Sequence, residues 1–184
     1  QRFIIEIEWL IYLCDKYPKF FKKLSQSSKS KIYKFKDQFS DKDVLKIKKI
    51  EAKTNHDVKA VEYFIKDFFK KDKVLSKYIH LIHFGLTSED INSLAYSIMI
   101  NNGLSIHLNK LSDLLKILKN KSVKWKNIAF LSRTHGQAAS PSTLGKEMKV
   151  FVKRLEKQID VLKSIKPLAK YSGATGNYHT FMIA

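Results

Sequence analysis

Residues 132–137 are the stretch of this sequence best equipped for chemistry. They bring a cation, hydroxyl groups, a titratable imidazole and an amide into six positions, just before a predicted helix start. Gly136 follows His135 and permits a backbone turn that other residues resist. Arg133 adds a planar group that can form two parallel hydrogen bonds to one anion. This mixture of groups favours a site for an anionic substrate.

Two further stretches, residues 54–57 and residues 83–90, have a similar polar composition and also lie at predicted helix starts. In the first, His56 lies near a helix N-terminus, where free backbone N–H groups attract anions. In the second, Thr87 and Ser88 offer hydroxyl groups at another helix start. Helix capping explains each stretch taken alone. Together with the first stretch, they predict three segments that converge on one site within a helical frame.

The composition restricts the class of protein. With 184 residues, 44% of them hydrophobic, the chain is long enough to bury a core, and extensive disorder is not expected. The single cysteine, Cys14, excludes an internal disulfide and a cysteine-based zinc site, and its apolar neighbours favour a buried structural thiol. His80 and His83 lack a third ligand nearby, so no metal is expected. No apolar run approaches the ~20 residues of a membrane span.

The net charge of +18 raises the hypothesis of nucleic-acid binding. Among the 35 basic residues, however, only Arg2, Arg133 and Arg154 are arginines, and base readout and bidentate phosphate contacts favour arginine. The lysines are spread through nearly every segment. We therefore expect solvated helix faces that attract anionic ligands in general, and no specific nucleic-acid partner. Because arginine is rare, Arg133 beside His135 indicates a need for its planar fork.

Apolar residues spaced three and four apart recur along the chain and predict helices throughout. Helix starts are predicted at Ser40 and near Thr87, and a strong one at Ser140 with Pro141 at the first helical position. From there the apolar stripe continues for ~25 residues, a length typical of a helical bundle or an oligomer core.

Several positions are expected to begin or end helices. The serine-rich residues 25–30 are the best linker candidate. Residues 101–103, with the sequence Asn-Asn-Gly, predict a kink or a stop, and Pro167 ends the long helix. Thr54 or Asn55 is expected to cap the helix that follows it.

Taken together, these segments resemble the adenylosuccinate lyases of the fumarase/aspartase superfamily, in the branch with longer bacterial-type sequences. The likeness extends almost without a break from residue 2 to residue 184, although residues 25–36 are not diagnostic. It is specific, because separate motifs occur in the right order along the chain. The segments that carry it are residues 51–64, 83–92, 131–137, 141–148 and 173–178.

The resemblance implies an all-α fold, in which an N-terminal helical domain (residues 1–86) precedes the first part of a long-helix central bundle (residues 87–184). It implies a cytoplasmic enzyme of purine biosynthesis that needs no cofactor and forms a homotetramer with active sites shared among subunits. Its reaction would release fumarate from adenylosuccinate, leaving AMP, and from the succinylaminoimidazole-carboxamide ribotide, leaving the carboxamide. The implied partner is therefore a small nucleotide substrate.

The resemblance also assigns roles to individual residues. In the family, the histidine of the Arg-Thr-His-Gly segment is the general acid that protonates the leaving nitrogen, and here this is His135. A histidine is well suited to deliver protons at neutral pH. The implied substrate contacts are Asn55, His56, Asp57, Thr87, Ser88, Thr134 and His83.

Parts of the family pattern are missing from this sequence. Ala138 and Ser140 stand where related sequences often have proline and threonine, and the N-terminal Arg-Tyr substrate contact is absent. The family's catalytic base, a serine on a mobile glycine-rich loop, has no match before Ala184. Because Gln1 is not a start residue and the chain stops without a helix-ending signal, we expect a piece of a longer protein that is inactive by itself.

Two alternative functions are compatible with the sequence. Another fumarate-releasing lyase, such as argininosuccinate lyase, would share the superfamily motifs, but residues 54–57 and residues 87–92 favour the purine enzyme. A basic helical module that binds nucleic acid would show sub-micromolar affinity that falls steeply with salt. We expect only weak, non-specific binding of this kind.

Overall fold

The computed structural model describes residues 1–183, and among these every side chain except those of residues 181 and 183. Helices dominate, which confirms the predicted all-α class. One antiparallel hairpin pairs β1 (Ala129–Thr134) with β2 (Gln137–Thr143). No helix in this described part of the chain is long and apolar enough to cross a membrane. The helices are α1 (Arg2–Lys16), α2 (Gln26–Asp37), α3 (Asp41–Thr54), α4 (Asp57–Lys70), a 3₁₀ helix (Leu75–Leu81), α5 (Ser88–Lys124), α6 (Leu144–Ser164) and α7 (His179–Ile183).

Residue contacts divide the chain into two compact units. The first contains Gln1–Met99 and Leu168–Ala184, and the second contains Ile100–Pro167. The first unit therefore holds α1 to α4 and the start of α5, whereas the second holds the rest of α5, the hairpin and α6. The domain boundary expected after residue 86 concerns the organisation of the complete protein, and it stays a prediction.

Aromatic packing dominates the core of the first unit. Phe3 of α1 stacks on Phe39, with 4.4 Å between ring centroids. Phe35 of α2 stacks on Phe68 of α4 at 3.7 Å, so the first four helices share one core. Cys14 is buried in this core, as predicted. Burial raises the pKa of its thiol to about 11, which leaves it protonated and unreactive at neutral pH.

Two predicted helix starts are confirmed, and one predicted linker is wrong. Ser40 caps α3 through a reciprocal arrangement in which the Asp43 carboxylate accepts a hydrogen bond from the Ser40 N–H at 3.1 Å. Helix α5 begins at Ser88, within the predicted start. Residues 26–30, however, lie in the first turns of α2, and Ser25 is the N-cap of that helix, because its hydroxyl accepts a hydrogen bond from a backbone N–H three residues later.

Helix α5 runs for 37 residues, so the stop predicted at residues 101–103 is wrong, whereas the kink predicted there stays a prediction. One glycine costs a helix only about 1 kcal/mol relative to alanine, which the neighbouring turns can offset. The Ser105 hydroxyl donates a hydrogen bond to the Asn101 carbonyl at 2.9 Å, so a polar side chain is satisfied within the helix.

The residues predicted to start the long helix, Ser140 and Pro141, lie in strand β2 instead. Pro141 pairs with Leu131 across the hairpin. Proline is tolerated there because both strands of a two-stranded sheet are edge strands. The helix begins only after Thr143, whose hydroxyl accepts a hydrogen bond from the Lys146 N–H at 3.2 Å. Helix α6 therefore spans 21 residues, fewer than the predicted stripe.

A buried carboxylate on α5 joins the start of that helix to the returning segment of the first unit. The Asp90 side chain is 1% exposed and forms an ion pair with the Lys170 ammonium at 2.8 Å. It also accepts hydrogen bonds from the N–H groups of Thr87 and Ser172, both at 3.0 Å. Burial is the largest single influence and opposes ionisation, but these hydrogen bonds outweigh it and lower the pKa of Asp90.

Substituting Gly145 tests the close packing between the end of α5 and the start of α6. An added Cβ would clash with the Ser122 carbonyl oxygen and would lie 2.6 Å from the Lys126 backbone. We predict that Gly145→Ala lowers the free energy of unfolding by about 1–3 kcal/mol, because backbone atoms must move apart. Urea denaturation measures the change. Gly103→Ala is the matched control: it has open space and should be neutral or stabilising, and equal losses in both variants would contradict this packing.

Substituting Asp90 tests the buried carboxylate. We predict that Asp90→Asn lowers the free energy of unfolding by about 2 kcal/mol or more at pH 7, because the Lys170 ammonium keeps its contact with the Gly173 carbonyl but loses its carboxylate partner. Since the pKa of Asp90 lies below its ordinary value of 3.8, this stabilisation is present above that pH and is lost as the pH falls through the lowered pKa. Urea denaturation from pH 7 down to well below pH 3.8 should therefore show the two proteins converging in acid.

The exposed pair of Asp67 with Lys70 provides the control for this measurement. The Asp67 carboxylate oxygen lies 3.2 Å from the Lys70 ammonium nitrogen, and the Asp67 side chain is 60% exposed. Asp67→Asn should therefore change the free energy of unfolding by less than about 0.5 kcal/mol. A similarly small effect of Asp90→Asn at pH 7 would contradict the importance assigned to the buried carboxylate.

Candidate functional site

His56 is the N-cap of α4 and lies beside the start of α5. Its Nδ1 accepts a hydrogen bond from the Lys59 N–H at 3.2 Å, so the ring proton belongs on Nε2. Nε2 lies 3.4 Å from the Ser88 hydroxyl. The structure therefore brings together His56 and Ser88, two residues from different polar stretches of the sequence.

The capping arrangement around His56 corrects the sequence prediction. Thr54 or Asn55 was expected to cap α4, but the side chain of His56 does so. Asn55 instead ends α3 in the left-handed backbone conformation, with φ of 51°, which asparagine tolerates better than most residues. The Thr54 hydroxyl donates to the Ile50 carbonyl at 3.1 Å, so it closes the preceding helix.

Asp57 occupies the first position of α4 and is held by an arginine. One carboxylate oxygen lies 2.9 Å from Arg2, and the other accepts a hydrogen bond from the Val58 N–H at 2.8 Å. Arg2 also donates to the Asn92 side chain of α5 at 2.5 Å, so it bridges the starts of α4 and α5. The sequence pattern does not predict this role for Arg2, although the rarity of arginine in the chain is a usable signal.

An open pocket forms where α3 ends and α4 begins. It has a volume of about 660 Å³. Three predicted site residues line it beside Lys48, whose ammonium lies 2.7 Å from the Glu51 carboxylate, so the lining carries charges of both signs. Its lining residues are Lys48, Glu51, Ala52, Asn55, His56 and Asp57.

His83 lies in the loop before α5 in a constrained conformation. Its φ of 63° places it in the left-handed region, which is uncommon for residues other than glycine. Its Nδ1 lies 2.6 Å from a carboxylate oxygen of Glu6 in α1. Thr87 follows four residues later, and its N–H is bound to Asp90. The contact of Glu6 is likewise not predicted from the sequence, because it spans 77 residues and follows no local pattern.

Thr134 and His135 belong to the second unit. Thr134 ends β1 and pairs with Gln137, which leaves His135 and Gly136 as the two-residue turn of the hairpin. Both turn residues have positive φ, 50° and 76°, as a tight hairpin with a right-handed twist requires. The backbone turn expected at Gly136 is confirmed. The turn displays the His135 ring at an exposed position.

The first unit thus assembles Asn55, His56, Asp57 and Ser88, with His83 and Thr87 in the loop leading to α5. Thr134 and His135 lie together on the hairpin of the second unit. Within the described residues, no group of three or more histidine, cysteine, aspartate or glutamate side chains is arranged to hold a metal ion.

The sequence and the fold both match known lyases. The sequence profile of a family described as Lyase matches residues 9–184. The chain is 40% identical, over 185 aligned residues, to the adenylosuccinate lyase of Buchnera aphidicola subsp. Schizaphis graminum, covering 100% of this chain and 41% of that protein. It is 44% identical over 149 residues to the adenylosuccinate lyase of Buchnera aphidicola subsp. Acyrthosiphon pisum, covering 80% of this chain and 33% of that protein.

A solved structure shares the fold at much lower sequence identity. The fumarate lyase from Mesorhizobium sp. BNC1 superposes with a TM-score of 0.75 at 18% identity, covering 97% of this chain and 41% of that one. The chain spans about 41% of the length of the relatives aligned along its whole length. Because the lyase profile matches from residue 9 to residue 184, the chain belongs to the lyase family.

Proposed function

We propose that this chain is part of an adenylosuccinate lyase. The enzyme would cleave adenylosuccinate to AMP and fumarate, and the succinylaminoimidazole-carboxamide ribotide to its carboxamide and fumarate, in purine nucleotide biosynthesis. The observation that carries this proposal is the alignment of the whole chain, at 40% identity, with a protein of that name. The nucleotide substrate is anionic, and the net charge of +18 favours its approach.

The reaction is an acid/base β-elimination. A base removes a proton from the carbon next to the one that bears nitrogen, and the released electron pair forms the double bond of fumarate. The C–N bond breaks, its electrons pass to the nitrogen, and an acid protonates that nitrogen as it leaves. We assign the acid role to His135, whose exposed turn position leaves the ring free to meet a substrate. The base is the serine of the family's mobile loop, for which this chain contains no matching segment.

Substrate binding is assigned to residues of both units. In the first unit, Asn55, His56 and Asp57 would line the pocket at the start of α4, while Thr87 and Ser88 would present hydroxyl groups at the start of α5. The positive dipole ends of the two helices would favour carboxylate or phosphate oxygens there. His83 would contact the substrate beside them, and Thr134 would do so next to His135.

The assembly and location of the enzyme are further parts of the proposal. We propose a cytoplasmic homotetramer in which each active site takes residues from several subunits. The exposed position of His135 on its hairpin suits a site that another chain completes. The complete protein would contain an N-terminal domain that ends near residue 86 and a central helical bundle that begins near residue 87. The bundle would provide the contacts between subunits.

Removing the proposed acid tests the function. In the protein of natural length, we predict that His135→Ala lowers kcat for adenylosuccinate cleavage by at least about 10²-fold, because the leaving nitrogen is no longer protonated. Release of fumarate, followed by its ultraviolet absorbance, measures the rate.

His80→Ala is the matched control for this prediction, because His80 is also exposed but lies outside the proposed site. It should leave turnover near the wild-type value. Near-normal turnover in His135→Ala would contradict the assignment of the acid.

A further inference from the structure

Glu6 is a buried acidic residue with one side-chain partner. It lies on α1, and its side chain is fully shielded from solvent. One carboxylate oxygen lies 2.6 Å from Nδ1 of His83, whereas the other is buried without a hydrogen-bond partner among the described residues. A buried carboxylate is costly unless it is paired, so the contact with His83 is the interaction that compensates for its burial.

Two hydrogen bonds hold the backbone at His83 and Phe84. His83 has a φ of 63°, in the left-handed region, and its carbonyl accepts a hydrogen bond from the Leu86 N–H at 3.3 Å. The next carbonyl, that of Phe84, accepts a hydrogen bond from the Trp9 indole of α1 at 2.8 Å. A non-glycine residue kept in this conformation by surrounding contacts is typical of functional positions.

The contact with Glu6 determines which ring nitrogen of His83 can meet a ligand. A carboxylate accepts hydrogen bonds, so the nitrogen facing it carries the proton. Nδ1 is therefore occupied, and Nε2 is the ring nitrogen that remains. The His83 side chain is 16% exposed, so part of it reaches the surface in the loop that leads to α5.

We propose that Glu6 is a positioning residue for substrate binding. It keeps the proton of His83 on Nδ1 and fixes the ring, so that Nε2 is presented to the substrate beside Thr87 and Ser88. Glu6 touches no substrate itself and acts only through His83. This inference rests on the proposed function for its substrate, but the state of the His83 ring can be measured without it.

The first experiment reads the His83 ring directly. Two-bond nitrogen–proton correlation NMR of the ¹⁵N-labelled chain distinguishes a proton on Nδ1 from a proton on Nε2. We expect the Nδ1–H form of His83 in the wild-type chain and a mixture of the two forms in Glu6→Gln. An unchanged His83 pattern in Glu6→Gln would overturn the proposal.

Glu8→Gln is the matched control, because Glu8 lies on the same helix but is 47% exposed and pairs with Lys36. It should leave the His83 signals unchanged. Circular dichroism checks that each variant folds. If Glu6→Gln does not fold, Glu6→Asp takes its place: the charge is kept but withdrawn by one methylene group, which should also shift the His83 signals if the contact matters.

The second experiment measures kinetics in the protein of natural length. Glu6→Gln should raise KM for adenylosuccinate about tenfold, the change expected when one hydrogen bond involving a charged group is lost. Its kcat should stay within about threefold of wild type, since the lost interaction is made equally in the bound substrate and the transition state. A purely structural role would instead lower the amount of active enzyme and leave KM unchanged.

Glu6→Asp should recover part of the affinity, whereas Glu8→Gln should match wild type in both constants. A fall in kcat with unchanged KM in Glu6→Gln would overturn the proposal. If the wild-type protein failed to cleave adenylosuccinate, the proposed function would fail, while the NMR result would still decide whether Glu6 sets the protonated nitrogen of His83.

Discussion

Two buried carboxylates hold the segment from His83 to Asp90 at both ends. Glu6 binds the His83 ring, and Asp90 binds the Thr87 N–H and the Lys170 ammonium. Burying these charges is favourable only with their partners in place, so each carboxylate specifies one arrangement of the chain around it. The loop before α5 and the first turn of that helix depend on both contacts. The hydroxyl and imidazole groups assigned to substrate binding in this segment depend on them in turn.

A second set of contacts joins the starts of two helices in the same unit. Arg2 bridges Asp57 of α4 and Asn92 of α5, and His56 lies beside Ser88. The side chains that make these contacts also satisfy the free N–H groups of α4, since His56 and Asp57 each accept one. The same residues therefore cap the helix and line the candidate site. Helix capping and substrate binding, the two explanations for each polar stretch, are compatible.

Local chemistry in the sequence predicted part of this arrangement. The all-α class, the caps at Ser40 and near Ser88, and the buried Cys14 follow from hydrophobic spacing and short-range hydrogen bonding. The errors came where a residue type tolerates more than one local structure. Pro141 is acceptable in an edge strand as well as at a helix start, and the cost of one glycine is small enough for residues 101–103 to continue the helix.

In the candidate site, too, some contacts could be predicted from the sequence and others could not. The sequence predicted that separate polar stretches meet, and His56 and Ser88 do so within the first unit. Glu6 and Arg2 escaped prediction because their contacts link residues 77 and 90 positions apart. No periodicity marks such pairs, although a charged residue inside an apolar helix face, as at Glu6, is a signal that could have been followed. The role of His135 comes from the family resemblance and stays a prediction.

Substrate choice is the most direct measure of the central claim, that this chain belongs to an enzyme releasing fumarate from adenylosuccinate. The protein of natural length should be purified and given adenylosuccinate and argininosuccinate in parallel, with fumarate release as the common signal. We predict turnover of adenylosuccinate and none of argininosuccinate. Faster release from argininosuccinate, or no release from either compound, would contradict it.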